Sequence, residues 1–267
     1  MVTHDIVLNK HNIFASKSYL FNIVKIIDKK KKSNLNVASF KELLKGKKFL
    51  FIGEYRKHDP VKERDNEFGE IEDAADQICE VADAMSVHTE EKYFCGNDNL
   101  IEAARKKCKK PIIERDFVVS PLQMYHAKIV GASAMSLVSR ILTLGELKEY
   151  KSIADGIGIE IMVEVSSEED LEKALKAGFN IILLSSFDYD KMENDLEIIP
   201  KLKAKIPDNV TVFADCPAYD SETIAMMKKS GIRGMFLSSD LIRHKDIRKR
   251  INDLRQIYGT EGTLQVC

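Results

Sequence analysis

The chain lacks a charge surplus of either sign. In 267 residues, 41 Lys plus Arg stand against 42 Asp plus Glu, a formal charge of −1. A dedicated nucleic-acid binder carries a basic excess, so that class is set aside. The longest apolar runs, such as 181–184, fall far short of the roughly 20 residues that cross a bilayer, and no membrane partner is expected. The first residues, MVTHDIVLNKHN, show no basic region followed by an apolar segment, which argues against a secretory signal. The five cysteines (Cys79, Cys95, Cys108, Cys216, Cys267) form no CxxC pair and are odd in number. The expectation is a reduced, cytoplasmic protein without a disulfide framework. There is no Gly-x-Gly-x-x-Gly after any strand, no HxH or HxxxH spacing, and no Gly-, Pro- or Ser-rich linker. Nothing in the sequence asks for a cofactor or a metal.

What is present is an ordinary globular composition, 44% hydrophobic and 31% charged. From residue 48 onward, short β-rich runs alternate with helix-periodic runs. The expected strands are 48–55, 84–88, 111–115, 133–138, 160–165, 180–185, 210–215 and 234–237. Between them, apolar residues recur at three- and four-residue spacing, as in Ile71, Ala74, Ala75, Ile78 and Val81. A last, charged helix is expected at about 240–258. Gly131, Gly178 and Gly231 stand where left-handed helix ends are needed. Eight strand–helix units in about 210 residues predict a (β/α)8 TIM barrel with an N-terminal helical extension. The expected divisions are extension 1–47, barrel 48–258 and tail 259–267. In the extension, Leu20, Ile23, Val24 and Ile27 suggest a helix over 18–30 that packs on the barrel. The lysine run 29–32 reads as its solvated end.

In this fold the reacting groups project from the C-terminal ends of the strands. The first strand ends in Glu54-Tyr55-Arg56-Lys57-His58, and alternation puts Glu54, Arg56 and His58 on one face. The third ends in Arg115-Asp116, the fifth in Glu164, the sixth in Ser185, the seventh in Asp215-Cys216 and the eighth in Ser238-Ser239. His88 and Ser136 stand at the ends of the second and fourth strands. Charges inside a barrel are costly unless paired or solvated. Two acids and two guanidinium groups converging on one mouth suggest a site for a small anionic molecule; the structural alternative is a salt-bridge ring closing the barrel. Cys216 as a nucleophile and His58, Asp59, His88 and Asp116 as metal ligands are weaker readings.

Several ordered blocks carry a resemblance. Thr89-Glu90-Glu91-Lys92-Tyr93-Phe94-Cys95-Gly96 and Pro111-Ile112-Ile113-Glu114-Arg115-Asp116-Phe117 are similar to segments of indole-3-glycerol phosphate synthases. So are Gln123-Met124-Tyr125, Gly131-Ala132-Ser133-Ala134, Val163-Glu164-Val165 and Ser238-Ser239-Asp240-Leu241-Ile242-Arg243. The resemblance covers essentially the whole chain. It implies a barrel mouth acting on a phosphorylated anthranilate-derived ketose by decarboxylating ring closure and dehydration. It also implies a lysine general acid where this chain has Arg115, a second lysine at Arg56, and glutamates at Glu54 and Glu164.

Both lysines are therefore arginines here. A guanidinium stays protonated at any accessible pH and cannot donate and recover a proton, although it can hold a carboxylate. The family's phosphate loops have become Asp215-Cys216-Pro217 and Ser238-Ser239-Asp240. Pro217 has no N–H to offer, and Asp240 brings a negative charge. The candidate catalytic set is Glu54, Arg56, Arg115 and Glu164. The candidate substrate-binding set is His58, His88, Phe94, Ser136, Ser185, Asp215, Cys216, Ser238 and Ser239. Two functions remain: a diverged lyase for a small carboxylate-bearing substrate, and a non-catalytic small-molecule- or partner-binding descendant.

Overall fold

The structure, a computed structural model, describes residues 2–15, 37–46, 49–60, 62–65, 69–97, 99–188, 193–215, 221–238, 249 and 251–253. Eight strands form the barrel: β1 Leu50–Tyr55, β2 Ala84–His88, β3 Ile112–Arg115, β4 Ala134–Val138, β5 Glu160–Val165, β6 Ile181–Ser185, β7 Thr211–Asp215 and β8 Gly234–Leu237. Each pairs in parallel with its neighbours in chain order, and β8 closes on β1. All eight expected strands are present; several start one or two residues later than the sequence suggests. Two antiparallel pairs of two residues each, His58–Asp59 with Arg64–Asp65 and Phe187–Asp188 with Glu193–Asn194, decorate the rim.

The helices are α1 Val2–Phe14, α2 Phe40–Lys45, α3 Ile71–Val81, α4 Asn99–Arg105, α5 Pro121–Val130, α6 Leu144–Ile157, α7 Glu168–Lys176, α8 Ile198–Lys203 and α9 Ser221–Lys229. The backbone after α5, α7 and α9 turns left-handed at Gly131, Gly178 and Gly231, with φ of 96°, 87° and 72°, as expected of helix-ending glycines. Residues 249 and 251–253, in the stretch read as the last helix, are helical.

Strand alternation divides the core in two. One set of side chains (Phe51, Met85, Ile112, Met135, Val163, Leu184) packs outward against the helices. The other (Leu50, Ile52, Ala84, Ile113, Met162, Leu183, Phe213, Phe236) fills the barrel interior. Phe40 of α2 joins that inner set, its ring centroid 6.1 Å from that of Phe213. The inner rows turn polar toward the C-terminal ends, where Glu54, Arg115, Ser136, Glu164, Ser185 and Asp215 follow the apolar positions two residues on and Ser86 and His88 follow Ala84. Gly234 lets β8 approach β1: a Cβ there would lie 2.4 Å from the Leu50 carbonyl oxygen and 2.8 Å from the Phe213 ring. Gly234→Ala should cost about 1–3 kcal/mol by overpacking. A urea midpoint unchanged from wild type would refute that.

One expectation fails. Cys79, in α3, and Cys108, just past α4, form a disulfide with Cα atoms 5.7 Å apart. The pair is 29 residues apart and has no local spacing signature; it meets because α3 and α4 pack side by side around the barrel. Cys95 is a free, exposed cysteine, while Cys216 and Cys267 lie outside the described residues. The helix read at 18–30 lies outside the described residues with the 29–32 lysines, and a helix that the sequence did not suggest, α1, lies against the mouth. Among the described residues no helix is long and apolar enough to cross a membrane.

Candidate active site

Arg115 ends β3 at the centre of the mouth, with only 3% of its side chain exposed. One terminal nitrogen donates to Glu54 Oε2 at 3.0 Å and to Asp215 Oδ2 at 2.8 Å; the other donates to Glu164 Oε2 at 2.6 Å. Its guanidinium carbon sits 5.2 Å from the Phe236 ring centroid, a cation–π contact with the inner apolar layer. Arg56 Nε bonds the other oxygen of Glu54. Three strands, β1, β5 and β7, thus present three carboxylates to the guanidinium of β3, with the second guanidinium at the edge. The result is the salt-bridge ring.

His88 Nε2 lies 3.4 Å from Glu54 Oε1, and its ring stacks on Phe94 with centroids 4.5 Å apart. Burial pushes the His88 imidazole down to about 4, outweighing the attraction of Glu54, so the ring is neutral near pH 7. Burial alone would raise the Glu54 carboxyl. Arg56, His88 and Arg115 together hold it well below the ordinary carboxylate range. Such a carboxylate is a weak base. The cavity bordered by His88, Arg115, Ser136 and Glu164 measures about 10 Å³, room for about one water molecule.

The loop after β2 is shaped by Glu90, whose carboxylate accepts from the backbone N–H groups of Lys92, Tyr93 and Phe94 at 2.7–3.0 Å. Folded this way, the loop receives α1. Asp5 bonds Lys92 and, at 2.6 Å, the Tyr93 hydroxyl. Ile6 packs with Phe94 and Phe117. Lys10, fully buried, places its ammonium 2.7 Å from both Glu91 Oε2 and Asp116 Oδ2. Asp116 also accepts from the Phe117 N–H at 2.8 Å and from the Gln123 amide at 3.3 Å. Burial nonetheless raises its carboxyl to about 6, since Glu91 opposes the pull of Lys10.

His88 and Asp116 make opposite contributions to stability against pH. The folded chain refuses a proton at His88 that the unfolded chain takes up below about 6.5, so this contribution is lost as pH falls from 6.5 toward 4. Asp116 holds its proton up to about 6 when folded, against 3.8 when free, so its contribution is gained over much of the same interval. From pH 7 to 5 we expect about 2 kcal/mol lost through His88 and a little over 1 kcal/mol regained through Asp116. Asp116→Asn should therefore lose markedly more stability than wild type between those pH values. Parallel urea curves for the two proteins would refute this.

Of the sequence-derived candidates, Glu54, Arg56, Arg115, Glu164 and Asp215 come together, with His88, Phe94 and Ser136 beside them. His58 does not join: β1 stops at Tyr55, the alternation lapses, and His58 Nδ1 meets Asp65 at 2.8 Å on the rim. Ser185 is buried, and its hydroxyl accepts from the Phe187 N–H. Ser238 is half-buried just beyond β8, and Cys216 and Ser239 lie outside the described residues. The Arg115 guanidinium, read in the sequence as the holder of a ligand's carboxylate, bonds three carboxylates of the protein's own. Among the described residues no group of three His, Cys, Asp or Glu is arranged to hold a metal ion. Sequence reasoning missed Lys10, which nothing in the local pattern marks as buried.

Comparison with known proteins places this geometry. Relatives named indole-3-glycerol phosphate synthase include one from Carboxydothermus hydrogenoformans, 32% identical over 223 residues, covering 83% of this chain and 84% of that protein. Another, from Thermoanaerobacter pseudethanolicus, is 28% identical over 256 residues, covering 95% and 96%. Among solved structures, a 3-hexulose-6-phosphate synthase from Salmonella typhimurium superposes with a TM-score of 0.63 at 11% identity, covering 80% of this chain and all of that one, a likeness of fold. The family model described as indole-3-glycerol phosphate synthase matches residues 4–254, and the chain belongs to that family.

Proposed function

We propose that this chain is a non-catalytic member of its family, a small-molecule-binding descendant that does not carry out the decarboxylating ring closure and dehydration. The observation that carries this reading is the engagement of Arg115: both terminal nitrogens donate to buried carboxylates of the protein itself. A group so held neither delivers a proton nor offers a fork to a substrate carboxylate. Glu54, stabilised as the anion by Arg56, His88 and Arg115, is a poor proton acceptor. In sequence, Pro217 has no N–H to offer a phosphate, and Asp240 brings a negative charge to the other loop of the expected phosphate site. The diverged-lyase reading is favoured by one fact, the presence of Glu54 and Glu164 in a costly buried location.

Purified protein incubated with carboxyphenylamino deoxyribulose phosphate should release no indole-glycerol phosphate above the uncatalysed background, with an active family member as control. Loss of a positioned general acid alone removes about 10²- to 10⁴-fold in rate. Robust turnover would show that arginine can substitute and would end this reading. The pair Arg56→Lys and Arg115→Lys should not restore activity by itself; full recovery would remove the weight placed on Pro217 and Asp240.

A further inference from the structure

We infer that a cleft at the N-terminal end of the barrel, opposite the Arg115 cluster, binds a small aliphatic α-amino acid as its zwitterion. The inference stands whichever way the mouth is read.

The cleft measures about 180 Å³ and lies where α6 passes into β5 and where β6 begins, with Lys41 of α2 on its border. Its apolar wall is made by Ile159, Ile161 and Phe179, all buried in the layer between barrel and helices. One water needs roughly 10–15 Å³, and drug-sized sites take roughly 300–1,000 Å³. The space therefore suits a metabolite of a few heavy atoms. In this fold the reacting groups gather at the other end of the strands, so binding here is not a catalytic step.

Charge selects the class of ligand. Lys41, Lys151, Asp155 and Glu160 all border the cleft. Lys151 is spent on Asp155, one turn further along α6, whose two oxygens it bonds at 2.6 and 2.5 Å. Among the described residues neither Lys41 nor Glu160 has a hydrogen-bond or ion-pair partner. One ammonium and one carboxylate are thus left over beside an apolar wall. A phosphate dianion would be repelled by Glu160, and a divalent cation by Lys41. An α-amino acid answers both groups: its carboxylate accepts from Lys41, its ammonium donates to Glu160, and its side chain lies on Ile159, Ile161 and Phe179. Glu160 is half-buried and forms the fixed end, while Lys41 is exposed and its four-carbon stem can follow the ligand. The C-terminal end of α6 adds partial negative charge on the side of the ligand's ammonium, since its C-cap Gly158 borders the cleft two residues before Glu160.

Calorimetric titration of the full chain with L-valine tests the site, and saturable binding with a Kd of about 1 mM or tighter is expected. Isobutylamine lacks the carboxylate and 3-methylbutanoate lacks the ammonium; each should bind at least about ten-fold more weakly than valine. Lys41→Met and Glu160→Gln should each weaken valine by about ten-fold. Arg56→Lys, at the far end of the barrel, should leave its affinity as it is. The proposal is overturned if the wild type shows no saturation, if an analogue binds as tightly as valine, or if either cleft variant binds like the wild type. Weakening by Arg56→Lys would move the ligand to the mouth and overturn it as well.

Discussion

Replacing Arg115 by methionine is expected to destabilise the fold by about 3–5 kcal/mol, because it strips the counter-charge from a buried group of acids. Glu54, Glu164 and Asp215 all bond this one guanidinium, and the first two are almost fully buried. Without it, carboxylates a few ångströms apart must protonate or draw water into the mouth. For a chain of this size the melting temperature should fall by roughly 8–15 °C. The change is a loss of one partner from a network and leaves unpaired charge behind, which is why it exceeds the cost of a surface pair. Arg115→Lys should fall in between: the ammonium keeps the charge but cannot span Asp215, Glu54 and Glu164 with a planar fork. Thermal melts at pH 7.5 decide the matter. A loss under about 1 kcal/mol would mean that the ring is solvated and contributes little.

Reduction of the Cys79–Cys108 bond is the second large effect. Closing a loop with a sequence separation of 29 removes enough freedom from the unfolded chain to be worth about 3–4 kcal/mol. Cys79→Ser with Cys108→Ser, or wild type held in excess dithiol, should melt roughly 7–14 °C lower, with the fold intact at 25 °C. Measuring the melt with and without dithiol on wild type and on the double variant isolates the bond, since the variant should not respond. If wild type does not respond either, the two sulfurs are not joined in solution.

The barrel was readable because its signal is periodic. Each strand carries a run of Ile, Leu, Val, Phe or Met, and Gly131, Gly178 and Gly231 punctuate the helices that follow. Strand starts such as Leu50, expected at 48, were blurred because entry to a strand has no chemistry as distinctive as a left-handed glycine. The convergence of Glu54, Arg56, Arg115 and Glu164 on one mouth was readable for a different reason: strand-end charges in a barrel have few places to go; the bond from Arg115 to Asp215 was not. His58 was misplaced because alternation was carried past Tyr55, where the strand ends. Lys10 and α1 were invisible because a buried face of Thr, Ile and Lys does not look like one. The disulfide was hidden because its partners become neighbours only through helix packing.

The loop from Thr89 to Phe94 is the stretch most diagnostic of kinship, yet its side chains are spent on seating the N-terminal helix and propping His88. Kinship scored on that stretch measures how a helix is held against the barrel. Two proteins can share that arrangement and still differ at the strand-end residues beside it, Arg56 and Arg115 among them.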